Sequence, residues 1–136
     1  MKVRAAEARD AAAIAVFWRE HGGPTGLPPD VPHIERLMQR DAEALLVAER
    51  SGEIVGTLIA GWDGWRFHLY RMAVHPDARR SGVAKALVEA AARRATEVGA
   101  RRIDARVEES NEGAKAFWEA IGFECHDTDR TWTRPL

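Results

Sequence analysis

Met72-Ala73-Val74-His75-Pro76-Asp77-Ala78-Arg79-Arg80-Ser81-Gly82-Val83-Ala84-Lys85 is the stretch on which the reading of this chain turns. An apolar run that reads as a strand stops at a proline, which has no N–H to give a ladder. A short loop of small and basic residues follows and opens an amphipathic helix. Over residues 82–98, Val83, Leu87, Val88, Ala91, Ala95 and Val98 form one apolar stripe, Lys85, Glu89, Arg93, Arg94 and Glu97 face water, and Gly99 caps the end. The loop is an anion cradle: the unpaired N–H groups of a helix start, the positive end of its dipole, and Arg79, Arg80 and Lys85 converge there. Gly82 and Ala84 let a phosphate oxygen reach the backbone, so a pyrophosphate suits the loop. The pattern is neither GxxxxGK[ST] nor GxGxxG. Taken alone, Arg79-x-x-Gly82-x-Ala84 also suits an Arg-bearing helix start on a solvated surface.

Upstream, Val3–Ala6 reads as a short first strand, Asp10 as an N-cap, and Ile14, Phe17 and Trp18 as one face of a helix that ends at Gly22-Gly23-Pro24. A proline-bearing loop to Pro32 leads to a short helix burying Ile34, Leu37 and Met38. The period then changes to two. Ala44–Ala48 and Ile54–Ala60 form a hairpin around Ser51-Gly52, and Trp62-Asp63-Gly64-Trp65 turns the chain into a third strand from Arg66 to Val74. Downstream, Arg102–Val107 reads as a strand, Ser110 or Asn111 caps a helix with Ala114, Phe117 and Ile121 inward, and Gly122-Phe123 starts a final strand. A strand, helix, strand crossover after a meander predicts an α/β fold with a mixed, mostly antiparallel sheet and helices on both faces.

The 136 residues suit a single domain, 1–136, able to hide roughly two thirds of its unfolded surface. A formal net charge of −1 argues against a nucleic-acid or anionic-membrane binder. The single cysteine, Cys125, closes no internal disulfide and reads as a buried inert thiol in the final strand. No apolar run approaches the ~20 residues of a membrane span, and the start has no signal-peptide pattern, so the expected location is the cytoplasm. The five histidines, 21, 33, 68, 75 and 126, show no metal-ligand spacing, so no metal is expected.

Val74-His75-Pro76, Arg79-x-x-Gly82-x-Ala84 and, about thirty residues on, Asn111-x-x-Ala114-x-x-Phe117-Trp118-x-x-x-Gly122-Phe123 together resemble the GCN5-related N-acetyltransferase (GNAT) family, and Gly61-Trp62-Asp63-Gly64 is similar to the same stretch of small bacterial members. The resemblance implies acetyl-CoA as the acetyl donor. Its pantetheine arm would pair like an added strand with Met72, Ala73 and Val74, and Arg79, Arg80, Ser81, Gly82, Val83, Ala84 and Lys85 would receive the pyrophosphate. Asn111 would touch the pantetheine, and Phe117 and Trp118 would lie by the cofactor. Such strand addition requires the strands ending near Val74 and Val107 to splay apart. A backbone N–H near Val74 would then stabilise the developing oxyanion, an effect worth ~3 to 4 kcal/mol per donor. The implied acceptor is a primary amine of a small molecule or protein, chosen by the loop around residues 22–32 and the terminal strands. A homodimer is common among relatives.

Amine attack needs a base, because an alkylamine of pKa near ~10.4 is mostly protonated at neutral pH. Histone-type relatives place a carboxylate where this chain has His68, and imidazole suits the task. Strand alternation puts His68, Tyr70, Met72 and Val74 on one face, so Tyr70 is the second catalytic candidate. The competing readings are a partly exposed strand residue for His68 and sheet packing for Tyr70. A glutamate of some relatives is replaced by Arg106; Asp104, Arg106 and Glu108 share a face that either lines an acceptor site or is merely solvated. Trp118 stands where most relatives have the tyrosine that protonates the departing thiolate, and an indole N–H cannot give up its proton near neutral pH. That departure motivates an alternative, a non-catalytic acyl-CoA sensor or structural subunit.

Overall fold

The computed structural model describes residues 1–23, 28–107 and 112–136. The chain forms two compact units, Met1–Arg106 and Val107–Leu136. The first contains β1 (Lys2–Ala5), α1 (Ala11–His21), α2 (Val31–Arg40), β2 (Leu45–Arg50), β3 (Glu53–Trp62), β4 (Phe67–Val74), α3 (Val83–Glu97) and β5 (Ile103–Ala105); the second contains α4 (Glu112–Ala120). The mixed α/β class predicted from sequence is what the chain adopts.

The strands lie in chain order, β1-β2-β3-β4-β5. Pairing is antiparallel until the last pair, β4 with β5, which is parallel because α3 carries the chain back across the sheet. Ser51 and Gly52 both take positive φ (54° and 78°), the geometry a tight hairpin turn demands.

Register fixes the two faces. Leu45, Val47, Thr57 and Ile59 point one way, since Leu45 opposes Ile59 and Val47 opposes Thr57. Ile14, Phe17 and Trp18 of α1 and Ile34 of α2 pack in one core cluster with Leu45, Val47, Ile59 and Ala73. Leu37 and Met38 join it only partly buried. Fully burying side chains of this size contributes roughly 1.5 to 3 kcal/mol each.

The other face seats α3. A Cβ on Gly56 would lie 2.6 Å from Val83 Cγ1 and 3.1 Å from Leu87 Cδ1, so the helix rests directly on bare backbone of β3. Arg94 of α3, expected from sequence to face water, is instead drawn inward, donating to Ala60 O (2.6 Å) and Asp41 Oδ2 (2.5 Å).

Three further sequence expectations change at the ends of the chain. Asp10 does not cap α1 with its side chain. It closes a capping box with Glu7 around the short 3-10 turn Ala8–Asp10, and its carboxylate takes both ends of the Arg4 guanidinium (2.7 and 3.0 Å). No strand follows Gly122-Phe123. The chain closes α4 with Phe123 N donating to Trp118 O (3.0 Å), then bends through His126–Asp129, where side chains of Asp127 and Arg130 engage the local groups. A segment dense in Asp, Thr and His satisfies itself locally instead of extending. Cys125 is consequently exposed, with Sγ donating to Asp127 Oδ1 (3.2 Å), and is not the buried strand thiol expected.

Candidate functional site

β4 holds the two catalytic candidates, His68 and Tyr70, and it is not a uniform strand. Phe67, His68 and Leu69 pair with Trp62, Gly61 and Ala60 on one side and with Ile103, Asp104 and Ala105 on the other. Arg106 N then donates to Leu69 O (3.0 Å), and the register with β5 ends. Met72–Val74 continues along β3 with no strand on its other side among the described residues. This is the parting expected between the strands that end near Val74 and Val107, β5 itself stopping at Ala105.

A bulge sits where the partners part. Ile59 opposes Tyr70 while Thr57 opposes Ala73, so β4 spends one more residue than β3, and Arg71 takes φ 54°. Three contacts hold that bend. Trp18 Nε1 donates to Thr57 Oγ1 (2.8 Å), Thr57 Oγ1 donates to Arg71 O (3.3 Å), and the Arg71 guanidinium lies 4.9 Å from the Trp18 ring centre. Burial lowers the Arg71 guanidinium pKa from its ordinary value.

The bulge corrects the predicted alternation. His68 and Tyr70 do share a face, opposite Gly61 and Ile59, but the next residue on that face is Ala73, paired with Thr57. Val74 opposes Gly56 and so points to the α3 side.

His68, Leu69, Tyr70, Asp104, Ala105 and Arg106 line one open cleft of about 410 Å³. The structure thus brings together His68 and Tyr70 with Asp104 and Arg106, whose shared face was read from sequence as acceptor site or solvated surface. Glu108 and Asn111 lie outside the described residues. Tyr70 OH stands over Gly61, which leaves the ring room: a Cβ there would be 3.7 Å from Tyr70 Cε1. Burial pushes the Tyr70 phenol above its ordinary value, so it stays protonated and able to donate. Asp104 is drawn to Arg102 (Nε–Oδ1 2.9 Å).

Past Val74, His75 caps a 3-10 turn, Pro76–Ala78, its Nδ1 accepting from Asp77 N (3.1 Å). Arg79, Arg80, Ser81 and Gly82 then lie exposed, with Arg80 and Gly82 at φ 62° and 84°. Gly82 is the N-cap of α3, with no side-chain cap and no acid in the first turn. α2 differs: Asp30 caps it, accepting from His33 N (2.8 Å). The first turn of α3 thus has the uncapped form in which backbone amides can take an anion, and Val83 is buried while Ala84 and Lys85 are progressively more exposed. Arg50, at the end of β2, also reaches this loop, donating to Ser81 Oγ (3.2 Å), while Ser81 Oγ donates to Ala78 O. No local sequence signal marks Arg50; only the hairpin register brings it here.

In the second unit, Phe117 is half-buried and Trp118 buried, with ring centres 5.3 Å apart and Phe123 4.8 Å from Trp118. Among the described residues no group of three or more potential ligands could hold a metal ion, and no helix is long and apolar enough to cross a membrane.

Residues 11–123 match the family model described as the acetyltransferase (GNAT) family. Acetyltransferase YE1169 of Yersinia enterocolitica is 38% identical over 95 residues, covering 70% of this chain and 67% of that protein. Among solved structures, the ribosomal-protein-alanine N-acetyltransferase of Brucella melitensis has a TM-score of 0.77 at 24% identity, over 93% of this chain and 86% of that one. The yncA structure of Salmonella typhimurium, solved with its cofactor acetyl-CoA, has a TM-score of 0.76 at 20% identity, over 90% and 79%. These structures share the fold.

Proposed function

This chain belongs to the acetyltransferase (GNAT) family, and on that premise we propose that it transfers the acetyl group of acetyl-CoA to a primary amine of a small molecule or an exposed protein amine. The observation that carries the reading is continuous: a strand loses its neighbour at Leu69, bulges, and runs at Val74 into an uncapped, basic helix start. The family match across both units supports treating residues 1–136 as one domain.

The residues present fit the donor. Backbone groups of Met72, Ala73 and Val74 would hold the pantetheine arm as an added strand, and Arg79–Lys85, joined by Arg50, would hold the pyrophosphate. The family resemblance would add Asn111 and Phe117, with Trp118 in place of the usual tyrosine, to the cofactor's neighbours. Bound acetyl-CoA supplies an acyl carbon activated as a thioester and a thiol leaving group. His68 would take the proton that the acceptor ammonium must lose before its nitrogen lone pair can add to the thioester carbonyl, and coenzyme A would then leave as the C–S bond breaks. The protonated Tyr70 phenol, partly exposed at the cleft, would donate a hydrogen bond toward the leaving sulfur, a role Trp118 cannot fill as an acid.

Free-thiol release with 5,5'-dithiobis(2-nitrobenzoate) across aminoglycosides, polyamines, amino acids and peptide N-termini tests the proposal. Amine-dependent release is expected. Saturable acetyl-CoA binding with no amine-dependent release would transfer the assignment to a non-catalytic acyl-CoA sensor, the reading that Trp118 favours.

A further inference from the structure

The turn before β4 holds a carboxylate against His68. Asp63 Oδ1 accepts from Trp65 N (2.8 Å) and Arg66 N (2.6 Å), and Gly64 takes φ 94° to close the turn. Those bonds, Arg66 N foremost and then Trp65 N, hold the Asp63 carboxyl below its ordinary pKa, so it is ionised. With Oδ1 occupied, Oδ2 is left over and stands 3.8 Å from His68 Nε2. Other groups face this ring. Gly61, its partner on β3, offers no side chain; Asp104, its partner on β5, is engaged by Arg102; Tyr70 and Arg106 lie farther along the cleft. Asp63 is thus the anion whose position is fixed independently of His68.

We propose that Asp63 is a positioning residue for His68: its turn-locked carboxylate accepts from Nε2–H, which leaves Nδ1 as the basic nitrogen and offsets the charge of the imidazolium formed when the amine proton is taken. This inference rests on His68 being the base of the proposed reaction. The 3.8 Å separation is that of an ion pair, and catalytic contacts of this kind commonly shorten only in the reacting complex. Both side chains are partly exposed, so the pair does little for stability; its effect is on tautomer and orientation, the logic by which a buried Asp serves His in a Ser-His-Asp triad.

Asp63→Asn is the discriminating change, because the amide oxygen still accepts from Trp65 N and Arg66 N while its NH2 replaces Oδ2 and donates toward Nε2. The expected results are a fall in kcat of ~10-fold or more with KM for acetyl-CoA unchanged, and no added loss when Asp63→Asn is combined with His68→Ala. In ¹⁵N spectra of the free protein, the neutral His68 ring should carry its proton on Nε2 in the wild type and on Nδ1 in Asp63→Asn. A loss from Asp63→Asn that is as large in the His68→Ala background as with His68 intact, a wild-type kcat in Asp63→Asn, or ring resonances that do not move would each overturn the proposal. Full activity in His68→Ala alone would instead remove the base assignment, and the ring resonances would still decide whether Asp63 sets the tautomer.

Discussion

The two halves of β4 are built from adjacent residues and do opposite things. Phe67–Leu69 is flanked by β3 and β5, and Phe67 and Leu69 are fully buried toward the α3 face. Met72–Val74, beyond the bulge, keeps β3 and has no second strand beside it among the described residues. The first half is where the sheet is closed on both sides; the second has one strand neighbour, and its other edge is the one proposed to take the pantetheine arm. His68 and Tyr70 sit at the junction. A bulge achieves this division at small cost, since it changes the direction of one strand without unpairing it from the core.

The contrast is open to attack at several points. The greatest effect belongs to the closed half: Phe67→Ala should lower unfolding free energy by ~3 to 5 kcal/mol in urea melts, and a loss below about 1 kcal/mol would mean that this half is not the anchor. At the junction, His68→Ala should reduce kcat by ~100-fold or more while leaving the melting temperature and acetyl-CoA affinity as they were. Thr57→Val removes the acceptor for Trp18 Nε1 and the donor to Arg71 O, and should cost about 2 kcal/mol. It should also weaken acetyl-CoA binding, because the bulge that opens the edge loses its clamp.

In the open half, Gly82→Val places a Cβ where the protein itself has nothing within 4 Å. Strain at φ 84° should cost ~1 kcal/mol of stability, and any further loss, about 10-fold in coenzyme A affinity by calorimetry, reports the ligand's own approach to the backbone. The smallest effect lies at the opposite sheet edge, which is closed by ions. Arg4 meets Asp10 and Glu49, and its hydrogen bonds hold the Asp10 carboxyl below its ordinary pKa. A depressed carboxylate contributes stability above the unfolded value of ~3.9 and loses it as pH falls through the folded one. Asp10→Asn should therefore trail the wild type by ~1 kcal/mol at pH 7, and the gap should close below pH ~3.9 in urea midpoints.

Much of this was legible in advance. Ser51-Gly52 named its turn, the 3.6-residue stripe of α3 named its buried face, and the small residues at 82 and 84 marked the helix start that the structure leaves uncapped. The bulge was not legible, because its positive-φ residue is Arg71, held by Trp18 and Thr57 from other elements rather than by its own preference. For the same reason, period-two reasoning put Met72 and Val74 on the His68 face. Asp63 read only as a turn residue, since its free oxygen finds His68 through the bend of the chain. The final strand failed because apolar Phe123 was outweighed by the side-chain bonding of the residues after it.

Cys125 has a practical consequence. The chain's sole thiol lies in the open, so the disulfide reagent used to follow coenzyme release will also modify the protein, adding up to one equivalent of colour that owes nothing to turnover. The Asp127 carboxylate accepts its S–H and raises its pKa, which slows that background without removing it. In air the same thiol can join two chains covalently, so mass measurements of any dimer belong in reductant, and a Cys125→Ser protein is the cleaner reagent for both.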